Sequence, residues 1–202
     1  MADLNESLSQ SFTLGEMVRS DTAERDSRLR TLQQNPAQEV IDNLRYLCQT
    51  TLQPIRDRLN FAIEITSGYR CEEVNRLVGG APTSQHLFGQ AADCGLSSHF
   101  RTDPAAAAVR QEIENGVLQH TGKPLRPGVN PHFYLFVYVC LHLQDLDIDQ
   151  VIHEYGEGFG KPAWVHIAAS HPNNRRQILA LGDYVPPDRK FPDLRTALSF
   201  GT

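Results

Sequence analysis

The stretch SQHLFGQAAD, Ser84 to Asp93, holds one histidine and one aspartate among a glycine and small side chains. That is poor material for a core helix. Gly89 lets the backbone turn between His86 and Asp93, and Ala91 and Ala92 leave space beside the carboxylate. QAADCGL then reads as a short strand of small residues. A third group of the same kind is His166 in AWVHIAA, an alternating stretch in which it shares a face with Trp164 and Ala168. A His/Asp/His set with an open fourth position is what a catalytic zinc requires, three protein ligands plus a water. Eight histidines are present, so spacing alone leaves open that these are hydrogen-bonded core residues.

The rest of the chain bounds the answer. Its 202 residues fit one domain with a real core, and 40% hydrophobic with 21% charged residues indicate a soluble globular protein. A net charge of -5 argues against a general nucleic-acid binder, which would present a basic surface. No apolar run reaches the length of a membrane span. MADLNESLSQSF lacks the basic start and apolar core of a secretory signal, so synthesis in the cytoplasm without a signal peptide is expected. Cys48, Cys71, Cys94 and Cys140 form no CxxC pair and read as buried free thiols, Cys94 on the strand face opposite Asp93.

Residues 1–11 are polar and expected to be flexible, with a domain over 12–202. Residues 35–60 form the clearest helix. There Val40, Ile41, Leu44, Leu47, Cys48, Leu52, Ile55 and Leu59 recur at three- and four-residue steps, and Pro54 predicts a kink. FAIEIT reads as a strand, CEEVNRLV as a short helix, and Asp103-Pro104 as the start of a helix running to about Leu118. FYLFVYVCLHL suits a strand by composition, but Asn130-Pro131 before it is a helix start, and we read it as a buried helix. IDQVIHEY, AWVHIAA and RRQILAL read as late strands. The expected fold class is α+β, a single domain with a small antiparallel sheet packed with helices.

Three strings, TSGYR, GGAPTSQHLFGQAAD and WVHI, in that order, resemble the zinc D-Ala-D-Ala carboxypeptidase and phage endolysin peptidase family, with its hedgehog/DD-peptidase fold. Ser84, His86, Gly89, Ala91, Asp93, Arg70 and His166 match the family pattern. FTLGEMVRSDTAERD and LQPIRDRL look like the phage-associated branch. The resemblance implies Zn2+ held by His86, Asp93 and His166, and hydrolysis of peptidoglycan stem-peptide bonds of the D-Ala-D-Ala or L-Ala-D-Glu type. Action would come after release from the cell or within a phage virion, with phage structural proteins as possible partners.

The resemblance also assigns roles. Arg70 is the expected oxyanion cation, with a surface salt bridge as the alternative, and Tyr69 is expected to pack. Many members carry a carboxylate three residues before the last histidine, where this chain has Ala163. The phage-associated pattern D-Q-x-I-x-E instead matches Asp149, Gln150, Ile152 and Glu154. Glu154 is therefore the first candidate for the general base and Glu157, in the glycine-rich loop, the second. Ser84 either holds substrate or caps its loop. His153 should face away from Glu154 in a structural role, and His142 should be buried. His99, His120, His132 and His171 match no motif. Residues 95–128 are an insertion expected to shape one wall of the cleft. The altered base region keeps a second reading in play, a non-catalytic zinc-containing component of a phage-like particle.

Overall fold

The computed structural model describes residues 2–202. Five strands form one mixed sheet: β1 (Glu64–Ser67), β2 (Ala91–Gly95), β3 (Gln150–Glu154), β4 (Trp164–Ala168) and β5 (Gln177–Leu181), in the order β1-β2-β4-β3-β5. The first four pair antiparallel, but β5 pairs parallel to β3. The late strands are therefore not all antiparallel, as expected from sequence. Both sides of β4 are already taken by β2 and β3, so the chain leaving β4 steps over β3 to reach a free edge.

Among the described residues the α-helices are α1 (Leu14–Met17), α2 (Ser27–Gln33), α3 (Gln38–Leu47), α4 (Gln53–Leu59), α5 (Glu72–Leu77), α6 (Ala107–Thr121), α7 (Pro131–Leu141) and α8 (Leu194–Leu198). The ambiguous apolar run is helix α7. The Asn130 side chain accepts the Phe133 N–H at 3.0 Å, and Pro131 occupies the first turn, where its missing N–H costs nothing. Every residue from Phe133 to Cys140 is buried, because α7 lies beneath the sheet and is covered on its other sides by α6 and α8.

The long early helix is two helices. Between α3 and α4 the turn Cys48–Leu52 widens into a π-helix immediately before Pro54. Proline has no N–H to donate to residue 50 and its ring would strike that carbonyl, and the wider turn relieves both problems. The apolar stripe survives the change, since Leu44, Leu47, Leu52, Ile55 and Leu59 are all fully buried.

Three local expectations differ from the structure. In the segment expected to be flexible, Leu8 is fully buried and its N–H bonds to the Phe12 carbonyl. His142 ends α7 half-buried, paired with Glu112 at 3.0 Å. Segment 95–128 lines no part of the cleft. Its helix α6 buries Val109, Ile113 and Val117 and packs on α7, which covers the other face of the sheet.

Candidate metal centre

Strand register builds the site. Ser67 pairs with Asp93, Asp93 with His166, His166 with Ile152, and Ile152 with Leu179. Cross-strand partners project from the same face, so this row runs across the sheet on the side away from α7. The alternate positions, Cys94, Val151, His153, Val165 and Ile167, are buried. Cys94 is thus a core residue. One pair along, Glu154 sits opposite Trp164 on the same face as His166.

His86 reaches this row from a single 3-10 turn, Gln85–Phe88, that precedes β2. Gly89 ends that turn with φ +68°, and a Cβ there would lie 2.6 Å from the Val40 carbonyl oxygen. The turn is therefore pressed against α3. The His86 ring donates from Nδ1 to the Gly68 carbonyl at 2.6 Å, which turns Nε2 inward toward the row. The Arg70 N–H donates to the His86 carbonyl at 3.1 Å. Gly68 itself lies against Met17, where a Cβ would come within 2.2 Å of the carbonyl oxygen.

Asp93 Oδ1, His86 Nε2 and His166 Nδ1 form a triangle with each side 3.2 Å, and all three residues are buried. Tetrahedral ligands about 2.0–2.1 Å from zinc stand about 3.3–3.4 Å apart. Two nitrogens and a carboxylate oxygen at this separation fit that ion, and the triangle closes without side-chain rearrangement. Burial alone would raise the Asp93 pKa, but the two imidazoles outweigh it and hold the carboxyl well below its usual range. Asp93 therefore stays an anionic donor.

The second oxygen of Asp93 accepts from Arg70 Nη2 at 2.5 Å, and Arg70 Nε donates to Ser67 Oγ at 2.8 Å. The guanidinium thus orients the Asp93 carboxylate while also lining the cleft. Gln33 holds Arg70 in place. Its amide donates to the carbonyls of Tyr69 at 2.6 Å and Val18 at 3.0 Å, and its oxygen accepts the Cys71 N–H at 2.9 Å. Nothing in the sequence points to Gln33, because its partners are backbone groups far along the chain.

The cleft above the triangle has a volume of about 1030 Å³. Glu154 lines it and accepts from Trp164 Nε1 at 2.7 Å. Burial raises the Glu154 pKa, only partly offset by the field of His166. Ser84 also lines the cleft, at the start of the 3-10 turn, and its hydroxyl makes no capping bond. Glu157 does not line the cleft. It is exposed and paired with Lys161 at 3.1 Å.

The cleft walls come from Arg19–Thr22 and the loop from Val78 to Ser84, segments that lie within the quoted strings but to which, Ser84 apart, the sequence assigned no role. Arg175 lines it too, gripped by Asp149, which is buried and also accepts from Gln85 at 2.9 Å. That network ties the residue before His86 to the starts of β3 and β5.

A family model described as Peptidase M15 matches residues 10–123, more than half of the chain. The chain belongs to the M15 peptidase family. Membership makes it a metallopeptidase, and the His/Asp/His cluster is where it can hold a metal. The matched region carries Arg70, His86 and Asp93 and ends before β3 and β4. Glu154 and His166 join the site through sheet pairing. No curated protein matches the chain.

Proposed function

We propose that this M15 peptidase is zinc-dependent and hydrolyses peptidoglycan stem peptides, at D-Ala-D-Ala or L-Ala-D-Glu bonds. The observation that carries the reading is the 3.2 Å triangle of Asp93 Oδ1, His86 Nε2 and His166 Nδ1 at the floor of a large cleft. Zinc there would supply a Lewis acid and a water acidified toward neutral pH. Glu154 takes the proton of the attacking water and delivers it to the leaving amine. Burial suits it to this task, since a raised pKa makes its carboxylate a stronger base. Arg70 holds Asp93 and offers its remaining N–H groups to the carbonyl oxygen as negative charge develops there. Ser84 presents a free hydroxyl to a substrate amide or carboxylate. A phage or prophage lytic setting is supported by the likeness of the upstream strings to the phage-associated branch.

The test is digestion of purified sacculi with mass analysis of the products, alongside metal content. Wild type should carry about one zinc and release defined fragments. His86→Ala should lose both metal and activity. If zinc-loaded wild type is inert on every muropeptide, the structural-component reading replaces the enzyme. If His86→Ala keeps a full equivalent of tightly bound zinc, the ligand assignment fails.

A further inference from the structure

A second concavity, of about 390 Å³, shares no lining residue with the metal cleft. Three guanidiniums line it, those of Arg126, Arg189 and Arg195, together with Ser199 and the rings of Phe159 and Phe200. It is built from the loop before α7, the β3–β4 connection and the chain around α8. Arg126 is fixed from behind, since its Nη2 donates to the carbonyls of Phe159 and of Phe200, the latter at 3.1 Å. Arg189 lies over the Phe159 ring, 5.8 Å from its centroid. The two phenylalanine rings lie with centroids 4.2 Å apart, tilted by 30°, and line the hollow.

None of these arginines has a carboxylate oxygen within 4.0 Å among the described residues. Arg45, Arg70 and Arg175 all do. Asp193, next to this surface in sequence, caps the start of α8, where it accepts the Thr196 N–H at 2.7 Å, and it feels the Arg195 charge only from beyond 4.0 Å. On a chain of net charge -5, three cations around one hollow with no ion-pair partner are a local inversion of sign. Like charges held together repel, and an anion between them relieves that repulsion. The planar fork of arginine matches phosphate oxygens two at a time, and the aromatic lining removes competing water from one side.

We propose that this concavity is a binding site for a phosphate group. The phosphate is carried either by a small monoester or by a phosphodiester chain, and the site does not depend on the peptidase reading. The small hollow and acidic remainder of the surface favour recognition of one group over a nucleic-acid track.

The experiment is calorimetric titration of the zinc-loaded protein at low salt with inorganic phosphate, glycerol 3-phosphate and a poly(glycerol phosphate) oligomer. Saturable binding is expected, weakened at least tenfold in the double variant Arg189→Gln/Arg195→Gln. Both residues are exposed, so the fold should persist, and unchanged circular dichroism and zinc content verify it. Arg195→Gln alone should lose part of the affinity and serves if the double variant does not fold. Retention of binding by Arg189→Lys/Arg195→Lys, weaker than wild type, would show that charge and fork geometry both contribute. Tighter binding of the oligomer than of the monoester assigns the phosphodiester source, and the reverse assigns the small molecule. Absence of saturable binding by all three probes, or equal affinity in wild type and the double glutamine variant, overturns the site.

Discussion

At the scale of single residues, Arg70 and Glu154 carry the sharpest consequences. Arg70 touches both the Asp93 carboxylate and the cleft, so under the proposed mechanism its removal should have two effects. Arg70→Ala should lower turnover by about a hundredfold through loss of oxyanion stabilisation. It should also weaken zinc about tenfold or more, because Asp93 Oδ2 loses its 2.5 Å partner. Turnover at saturating zinc and metal affinity by competition with a chelator measure the two separately. Unchanged turnover in the folded, loaded variant would reduce Arg70 to a support for Asp93.

Glu154 and Glu157 differ in placement, and the pair of amide substitutions exploits it. Glu154→Gln should abolish hydrolysis with zinc retained. Glu157→Gln should leave rates within about twofold, since an exposed pair with Lys161 contributes little. Because burial raises the Glu154 pKa, this carboxylate is protonated at higher pH than an ordinary one. The acid limb of the rate profile should therefore lie above the normal glutamate range, with activity rising as pH increases through it. A fully active Glu154→Gln would move the base elsewhere.

At the scale of elements, the site depends on contacts between segments that carry no chemistry. Helix α2 contributes Gln33, whose amide grips the backbone on both sides of Arg70. Gln33→Leu keeps the volume but leaves the Tyr69 carbonyl and Cys71 N–H without this partner, at about 1–3 kcal/mol of stability. The expected signature, read at saturating zinc, is a fall in kcat greater than the change in KM, with zinc affinity lowered no more than in Arg70→Ala, because Arg70 is displaced while His86, Asp93 and His166 remain. A variant that loses stability but keeps full kcat would show that Gln33 supports the fold and not the geometry of Arg70. The 3-10 turn of His86 is held in the same indirect way, by Gly89 against α3 and by Gln85 on the buried Asp149.

At the scale of the whole molecule, His153 couples the sheet to the surrounding core. It is fully buried on the α7 side, edge-on to Phe133 and Phe136. Its Nε2 accepts the Gly160 N–H at 3.1 Å, and its Nδ1 meets the Tyr184 hydroxyl at 3.1 Å, which itself donates to the Tyr155 carbonyl. Both nitrogens are satisfied only in the neutral ring, and burial pushes the pKa down to about 4. The unfolded chain takes up its proton near pH 6.5. Between these values the folded state binds fewer protons, so stability is full above about pH 6.5 and falls as pH drops toward 4. The loss is on the order of 3 kcal/mol. Urea unfolding of chelator-treated protein at pH 7 and 4.5 should show it. In His153→Leu the difference should shrink by most of that amount. An equal pH dependence in the variant would mean that other groups set the acid stability.

What the sequence determined by itself was local chemistry and local geometry. Asn130-Pro131 began a helix because one side chain caps it and the other lacks the N–H that a first turn leaves idle. The alternation of AWVHIAA placed His166 on one face and Val165 and Ile167 on the other, because strand side chains alternate. The motif spacing of His86 and Asp93 was legible because a short turn and a short strand connect them. The tertiary structure alone decided what lies across from what. The parallel placement of β5, the displacement of segment 95–128 to the far side of α7, and the walls from residues 19–22 and 78–84 depend on which edges and faces remain free after other elements pack. The same holds for Gln33, Arg175 and the arginine hollow. Their partners are carbonyls, a carboxylate and rings distant along the chain, and no periodicity records a contact that only packing creates.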